Sequence, residues 1–488
     1  MQKNAAYVIL LLGLLLRLYH LDAPTIGRNS WRQSDTAAMA RNFYENGFNF
    51  AYPQIDWGGN SPGYVETEFP LYPFTVALLY KIFGVHELLG RLLSAVCYAF
   101  AIYFLYLLVR KIIDESTALW ASFFFSILPL SVYYGRNFFP EPMLIISMIA
   151  GVYFLVQWID HERWWQFVLS AAFIALACLL KIVTLYVGLP ILYLGYAKYG
   201  KRGFLQWRLW LYAAIVILPV AAWYSHAHQI LLNGGSTFGI WEYGTDKWGN
   251  WNLVITPRFW NSILFQSLAE RHFTWSGFPV LVAGIFLKRR AARERLFDYW
   301  LIALFVYVAI VARGNDVHDY YQLPFLIPGV VFMGKVFSRH FTSLNFKDGK
   351  TVALAICLMG TIVLGSARYY SLMKMENPDN SAVFSLAGIV QQKTEPSARI
   401  IVLDNRDPTI MYLSHRKGWH ATAANVNESF IIDKRSQGAR YLVGLYEYLD
   451  SSQKGELRKY MTRENTVLDD GKEFIIRLWH PRLIANVL

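Results

Sequence analysis

The sequence predicts an all-α polytopic membrane protein that carries a small α/β domain at its C-terminal end. Of its 488 residues, 55% are hydrophobic and 16% are charged, whereas soluble proteins have about 25% charged residues. The apolar residues are gathered in long runs separated by polar loops, and this pattern stops near residue 370, where strand-like runs begin. We therefore expect two domains, a membrane domain over residues 1–370 and a water-soluble domain over residues 371–488.

Eleven apolar runs approach the length of about 20 residues that a helix needs to cross a bilayer. The first covers residues 5–21 and is followed by no small-residue cleavage site, so we expect a retained span and not a removed signal peptide. Two later runs are separated only by Lys181 and another is short, which leaves the count open by one or two. After the first, the runs lie at residues 88–109, 117–133, 142–159, 165–181, 183–197, 209–225, 276–288, 297–312, 322–337 and 351–369.

The distribution of basic residues predicts the orientation of these spans. With a cytoplasmic N-terminus, the long loops 22–87 and 226–275 lie outside, and the basic clusters fall in the inner loops. Basic loop residues favour the cytoplasmic side, so the parity of the spans and the loop charge agree. The same rule accounts for the net charge of +12, and we expect no nucleic-acid partner.

The C-terminal domain is predicted to be extracytoplasmic, because an odd number of spans precedes it. Strand-like runs occur at residues 399–403, 441–445 and 473–479, with helical stretches between them. This alternation is typical of a small α/β domain.

The first outer loop contains a candidate general base, Asp35. Ser34 is a suitable cap for a helix over residues 35–46, with Gly47 after its end, and a helix of about 18 Å is too short to span a bilayer. We expect it to lie along the membrane surface. Asp35 would then occupy the first turn, where the helix dipole favours the ionised carboxylate. Asp35 is read either as the base of a reaction or simply as a favourable first-turn residue.

Two further acids, Glu66 and Glu68, precede a second predicted surface helix over residues 72–84. In an extended segment, residues two apart point to opposite faces, so only one of these carboxylates need face a common site. Both are equally consistent with solvated loop acids.

Charged residues also occur where later spans meet the outer side. Arg136 and Glu141 flank a Pro-rich turn, and they are read as an ion pair, a helix cap or functional residues. Lys181 stands between two apolar runs, where a partner or an anionic ligand would stabilise its charge, unless it extends to the interface.

A fourth outer loop contains His318 together with Asp316 and Asp319. With Glu68 these side chains could hold a divalent cation, although the spacing matches no standard metal motif, and a hydrogen-bonded loop histidine is the alternative. The adjacent Tyr320 and Tyr321 suit an aromatic belt equally well. Because acids, bases and aromatic residues gather in four outer loops while the inner loops are mainly basic, we predict a site on the outer face.

At these residues the sequence resembles the GT-C glycosyltransferases, in particular the protein O-mannosyltransferases and the lipid A aminoarabinose transferases. The likeness covers the first ten spans, about two-thirds of the chain, and rests on the order and spacing of its pieces. These are the apolar opening through Arg17, Trp31-Arg-Gln-Ser-Asp35, Glu68-Phe-Pro-Leu-Tyr-Pro73, Tyr133-Tyr-Gly-Arg136 with Pro-Glu141-Pro, Lys181, and His318-Asp-Tyr-Tyr-Gln-Leu-Pro324.

The resemblance implies a GT-C-like fold and an inverting transferase that takes its sugar from a polyprenyl-phosphate donor. By position, Asp35 would be the catalytic acid–base residue, and Glu68 and His318 would share a cation. The aminoarabinose transferases have Glu-Lys-Pro where this chain has Phe69 between Glu68 and Pro70. A phosphate-binding lysine is thus missing, and other cations would have to replace it.

These residues suit the transfer chemistry. A carboxylate that accepts the proton of the attacking hydroxyl typically gives about 10²–10⁴-fold acceleration, and we place Asp35 and Glu141 among the catalytic candidates. Cations stabilise the departing phosphate. The candidates for binding the phosphate and the donor are Arg28, Arg32, Arg136, Lys181, Tyr320 and Tyr321.

The predicted partners are a polyprenyl-phosphate sugar and an acceptor that is a lipid, a glycan or a protein. A divalent metal is the one cofactor that the residues suggest, and we expect no organic cofactor. Compact loops favour the inner membrane of a bacterium. The competing classes are a transporter or flippase of lipid-linked sugar, for which we find no internal repeat, and a non-catalytic assembly protein.

Overall fold

The structure, a computed structural model, describes residues 2–240, 248–341, 347–422 and 424–478. The chain divides into two compact units, each built from three separate stretches. The first comprises Met1–Leu21, Arg91–His228 and Gly239–Ser371, and the second comprises Asp22–Gly90, Gln229–Phe238 and Leu372–Leu488. The division of the protein into a membrane domain and an extracytoplasmic domain stays a prediction.

In the described residues of the first unit, the regular secondary structure consists of helices, which are joined by loops. Its α-helices include or extend through Gln2–Leu18, Glu87–Ile112, Glu115–Ile127, Pro129–Tyr134, Glu141–His161, Trp164–Leu180, Gly188–Tyr199, Trp207–Leu232, Trp251–Val254, Pro257–Asn261, Thr274–Phe286, Arg295–Ile310, Ala312–Val317, Leu326–His340 and Gly349–Lys374. A π-helix covers Ser262–His272, and 3₁₀ turns cover Ile182–Val187, Gly200–Leu205, Ala292–Glu294 and Asp319–Phe325.

Five helices in the described part of the chain are long and apolar enough to cross a membrane by length and composition. They are Glu87–Ile112, Glu141–His161, Ile182–Leu205, Trp207–Leu232 and Gly349–Lys374. The predicted count of eleven is not confirmed, because several predicted spans are shorter or interrupted. The run at 117–133, for example, breaks at the extended Leu128, since Pro129 disfavours a helical conformation in the residue before it.

Arg17 lies in the interior of the first unit and is fully buried. Its guanidinium donates to the backbone carbonyls of Gly13 at 2.7 Å and Ser131 at 3.0 Å, and it lies over the ring of Tyr98 at 4.2 Å. Because a buried charge is tolerated only when it is hydrogen-bonded or paired, this arrangement gives Arg17 a structural role that joins helix Gln2–Leu18 to helix Pro129–Tyr134.

The second unit contains a five-stranded sheet with strand order β4-β3-β5-β7-β6. The strands are β3 (Arg399–Leu403), β4 (Lys417–Ala421), β5 (Ala439–Leu445), β6 (Thr466–Asp469) and β7 (Glu473–Arg477), and a short parallel pair joins β1 (Val65–Glu66) to β2 (Ser236–Thr237). Strand β3 is parallel to β4 and β5, whereas β7 is antiparallel to β5 and β6. The helices are Ser30–Glu45, Leu71–Phe83, Ala382–Lys393, Thr409–Ser414, Glu428–Ser436 and Ser451–Lys459, with 3₁₀ turns at Pro378–Asn380 and Tyr446–Tyr448.

The sheet confirms the small α/β fold predicted for the C-terminal segment. The predicted strand runs coincide with β3, with the second part of β5 and with β7; Trp479, at the end of the third run, lies outside the described residues. The second surface helix, predicted at 72–84, is observed at Leu71–Phe83 with Gly84 after it. Strands β4 and β6 were not predicted, because their sequences are short and rich in polar residues.

A buried ion pair, Arg41 with Asp56, ties the first loop together. The Arg41 guanidinium contacts the Asp56 carboxylate, and it also donates to the carbonyl of Tyr412 at 3.1 Å. The other carboxylate oxygen of Asp56 accepts from the amide of Asn42 at 3.0 Å. Because each charge is almost fully enclosed, the loss of one partner would leave the other without compensation.

Replacing Arg41 by Met should therefore destabilise the second unit by about 3–5 kcal/mol, the usual cost of breaking a buried pair. The variant should show a lower thermal midpoint and faster proteolysis of the segment after residue 372. Arg208→Met, which breaks a pair with the half-exposed Glu162, should cost no more than about 1 kcal/mol. Equal midpoints for the two variants would contradict this assignment.

Candidate active site

The carboxyl group of Asp35 is buried inside the second unit. Asp35 lies in helix Ser30–Glu45, most of whose side chains are buried, and only 3% of its surface is exposed. One carboxylate oxygen accepts a hydrogen bond from the indole N–H of Trp57 at 2.9 Å. Since a buried acid at a reaction site is suited to proton transfer, this carboxyl is the centre of the candidate site.

The helix that carries Asp35 begins five residues earlier than the sequence predicted. Asn29, in the left-handed conformation, precedes the helix, which then runs through Ser30 to Glu45. Ser34 is therefore not the cap: its hydroxyl lies 3.4 Å from the hydroxyl of Thr25 and 3.2 Å from that of Thr409. The predicted end of the helix is confirmed, with Gly47 following at a positive φ of 100°.

Burial, and not the helix dipole, determines the direction in which the pKa of Asp35 is shifted. Burial raises the pKa of Asp35 to about 7, while the hydrogen bond from Trp57 and the charges of His420 and Arg32 act in the opposite direction. The predicted first-turn stabilisation by the helix dipole is wrong, because this effect fades beyond the first turn and the side chain is shielded from water. A carboxyl that titrates near neutral pH can accept and release a proton at physiological pH.

Arg32 provides a cation on the same helix. It precedes Asp35 by three residues, so the two side chains lie on neighbouring positions of one helical face. Its guanidinium donates to Glu68 at 3.1 Å and lies 5.9 Å from the ring centre of Phe238. The structure thus brings Asp35, Arg32 and Glu68 into one unit. Arg28 is half-buried in the turn before the helix, and its role in donor binding stays a prediction.

The two carboxylates of the first loop point to different partners, as the spacing predicted. Glu66 is fully buried and accepts a hydrogen bond from the hydroxyl of Thr237. Glu68 contacts Arg32. Glu66 therefore holds the β1–β2 pair, and Glu68 is the acid of this segment that belongs to the candidate site.

The sequence did not reveal three groups beside Asp35 that come from the C-terminal segment. Asp404 follows β3, His420 lies on β4, and Asp407 follows Asp404 in the same loop. The imidazole Nδ1 lies 2.8 and 2.9 Å from the two oxygens of Asp404, and the hydroxyl of Ser30 donates to Asp407 at 3.3 Å. One signal was available: an acid at the carboxyl end of a predicted parallel strand is a common position for functional residues.

A second cluster lies in the first unit, around Lys181. Its ammonium donates to Glu141 at 3.3 Å and lies 3.8 Å from the ring centre of Tyr321 and 4.8 Å from that of Tyr320. Only 8% of Lys181 is exposed. Together with Tyr186, these side chains line a cleft. The structure therefore brings Glu141, Lys181, Tyr320 and Tyr321 together, and gives Lys181 the partner that its sequence position required.

The local backbone explains this arrangement. Lys181 is extended between helix Trp164–Leu180 and the 3₁₀ turn that follows. Glu141 is the first residue of helix Glu141–His161, behind Pro140, where a negative charge is favourable. One Glu141 oxygen, Oε2, is buried and has no hydrogen-bond partner among the described residues, so this carboxylate retains an acceptor site within the cleft.

Arg136 contacts the backbone just after the first helix. It is fully buried, donates to the backbone carbonyl of His20 at 2.9 Å and lies 5.5 Å from the ring centre of Tyr133. Glu141 forms an ion pair with Lys181. Binding of the donor by Arg136 stays a prediction.

The carboxylates near His318 are already engaged by other groups. Asp319 accepts from the hydroxyl of Tyr134 at 2.5 Å and lies 3.9 Å from Arg271, and Asp316 lies between Arg258 and Arg313. The His318 ring lies 5.4 and 5.5 Å from the rings of Tyr320 and Tyr321. The structure thus places His318 against two tyrosine rings, and its predicted role as a metal ligand or a hydrogen-bonded loop histidine stays a prediction.

The described residues show no cluster of metal ligands around the predicted positions. Glu68 has a guanidinium as its near neighbour, and within the described ranges no group of three or more His, Cys, Asp or Glu side chains is placed to hold an ion. Glu68 belongs to the second unit and His318 to the first, so a cation shared by them stays a prediction, and we derive no step through a metal.

The chain has the fold of the GT-C membrane glycosyltransferases. ArnT from Cupriavidus metallidurans, in a crystal structure bound to undecaprenyl phosphate, aligns with a TM-score of 0.66 at 12% identity, over 97% of this chain and 98% of that one. The apo oligosaccharyltransferase of Archaeoglobus fulgidus aligns with a TM-score of 0.59 at 15% identity, over 92% and 70%. At such identities the likeness establishes the fold.

The sequence itself matches one family over part of its length. Residues 66–226 match the family described as dolichyl-phosphate-mannose-protein mannosyltransferase. A comparison with curated proteins finds no match. The predicted resemblance to GT-C glycosyltransferases is thus confirmed, and the chain is a multi-pass membrane protein; the number of spans and their orientation stay predictions.

Proposed function

We propose that this protein is an inverting glycosyltransferase that moves a hexose or a pentose from a polyprenyl-phosphate donor to an acceptor on the outer face of the membrane. The observation that carries the proposal is the buried Asp35 carboxyl, with a pKa near 7 and Arg32 on the same helical face, within a GT-C fold. The acceptor group is a hydroxyl or a phosphate of a lipid, a cell-envelope glycan or a protein.

The transfer reaction needs a base for the acceptor and cations for the leaving phosphate. For a hydroxyl acceptor, the oxygen attacks the anomeric carbon, a new C–O bond forms, and the bond from that carbon to the phosphate oxygen breaks. The hydroxyl proton passes to Asp35, and the bonding electrons leave with the polyprenyl phosphate. A single displacement inverts the configuration at the anomeric carbon.

Cations are needed where negative charge develops on the leaving phosphate. Arg32 is the candidate in the second unit, and its pairing with Glu68 fixes its orientation. Lys181 is the candidate in the first unit, where the rings of Tyr320 and Tyr321 lie beside its ammonium. These roles replace the lysine that is missing at Phe69.

A release assay tests the proposal. The purified protein in lipid nanodiscs would receive polyprenyl-phosphate hexoses and pentoses, with a bacterial cell-envelope extract as the source of acceptors. Transfer predicts free polyprenyl phosphate and a labelled product in equal amounts. Movement of intact lipid-linked sugar across the bilayer without any release would contradict transfer and support a flippase. The inner membrane of a bacterium is the location in which we would place the enzyme.

The pH dependence of this activity should reflect the pKa of the buried Asp35 carboxyl. Because Asp35 must be ionised to accept a proton, kcat/KM should rise with pH through about 7 and not near 4, the ordinary pKa of an aspartic acid. The profile of kcat/KM reflects groups of the free enzyme. A profile that is flat between pH 5 and 8 would argue against Asp35 as the base.

A further inference from the structure

Strand pairing in the second unit sets His420 and Asp404 side by side. His420 on β4 pairs in register with Val402 on the parallel strand β3, and Asp404 follows the end of β3. The imidazole Nδ1 lies within 2.9 Å of both Asp404 oxygens. Since an ionised carboxylate only accepts hydrogen bonds, Nδ1 carries the proton. Asp404 is itself almost fully buried, so its interaction with the imidazole is little weakened by water.

Trp57 connects this pair to Asp35. Its ring centre lies 5.4 Å from that of His420, at an angle of 43°, and its N–H donates to Asp35 at 2.9 Å. The indole therefore contacts the base and the imidazole at the same time. It holds the two groups in a fixed relation within one unit.

Other charged groups of the described residues also act on Asp35 and Asp404. Arg32 on the same helix and Asp407 in the loop after β3 act on Asp35 with opposite signs. Around Asp404, the backbone N–H of Arg406 donates to the carboxylate at 2.9 Å, and Asp407 and Tyr448 are further electrostatic neighbours. Among these groups, His420 is the residue of the C-terminal segment that acts to lower the pKa of Asp35.

We propose that His420, oriented by Asp404, is a positioning residue for Asp35: as an imidazolium it holds the Asp35 carboxylate in the ionised form that can accept a proton. This inference rests on the proposed function in one respect, that Asp35 acts as the base of the transfer. A neighbouring positive charge favours the ionised form of a carboxylate. The C-terminal segment would then contribute directly to the strength of the base.

The decisive variant is His420→Asn. An Asn amide nitrogen can replace Nδ1 as a donor to Asp404, but it cannot carry a positive charge. Removal of the charge should raise the pKa of Asp35, so the rise of kcat/KM with pH should move upward by about one unit. We expect about tenfold lower kcat/KM at pH 6 and nearly unchanged activity at pH 9. Asp404→Asn should shift the profile in the same direction, and it tests the inference independently if His420→Asn fails to fold.

His415→Asn is the matched control. His415 is exposed and lies in the left-handed conformation, which Asn tolerates, so the pH profile should not move. A uniform loss of activity at every pH in His420→Asn would show that the residue is merely structural. An unchanged profile would equally overturn the proposal.

An infrared titration separates this inference from the proposed function. The C=O band of protonated Asp35 is identified by subtracting the spectrum of Asp35→Asn, and its midpoint is measured in the wild type and in His420→Asn. A higher midpoint in the variant supports the role of His420 even if no sugar transfer is found. Identical midpoints overturn that role even if transfer is found.

Discussion

Asp35→Asn should lower sugar transfer by about 10²–10⁴-fold, the usual contribution of a general base. The amide has nearly the same shape and can still accept the hydrogen bond from Trp57, but it cannot take the proton of the acceptor. The donor should bind as before, so kcat should fall while the KM for the donor changes little. Release of polyprenyl phosphate by purified wild type and variant, at equal protein concentration, measures this directly.

Asp22→Asn provides the matched control for this prediction. Asp22 is an exposed carboxylate at the start of the same loop, so its loss should leave transfer unchanged. If Asp35→Asn retained turnover near the wild-type value, Asp35 would not be the base, and its burial would have to be explained as a structural feature.

Lys181→Met should lower transfer by about 10²–10³-fold, the effect of removing one group that stabilises negative charge in a transition state. The loss should be smaller in Lys181→Arg, which keeps the charge in the aromatic cleft. Because the donor carries the phosphate that Lys181 would bind, the KM for the donor should also rise. Turnover measured over a range of donor concentrations separates the two effects.

The single substitution also leaves Glu141 without its partner, which alone can destabilise the protein. A double variant, Lys181→Met with Glu141→Met, removes both charges, and apolar replacement of a whole buried pair is often neutral or stabilising. We expect the double variant to unfold at a temperature near that of the wild type and to remain inactive. A stable and active double variant would show that the pair serves only the fold.

The outline of the fold followed from the sequence because it depends on strong local patterns. Apolar runs, the prolines that end them and the strand-like runs after residue 370 act over a few residues, and the corresponding helices and strands are observed. The predicted start of the Asp35 helix was wrong. Serine is a common helix cap, but the hydroxyl of Ser34 lies near those of Thr25 and Thr409. Tertiary contacts thus overrode a local preference.

The candidate site was predictable only in part, for the same reason. Asp35, Arg32, Glu68, Glu141 and Lys181 stand out as charged residues in or next to apolar segments, and the structure gathers them into two clusters. Asp404 had one local signal, its position at the end of a predicted strand, whereas nothing local marks His420, which lies on an unpredicted strand. Their association with Asp35 depends on strand register and on contacts between residues hundreds of positions apart, which one sequence does not display.

The distance along the chain between Asp35 and its neighbours has a consequence for biosynthesis. The hydroxyl contact between Ser34 and Thr409 joins residues 375 positions apart, and ribosomes add about 5–20 residues per second. The first loop is therefore made roughly 20–75 s before the segment that encloses it. A chain terminated before residue 404 would lack Asp407, Thr409 and His420, so Asp35 and its helix acquire these neighbours only after β4 has been made.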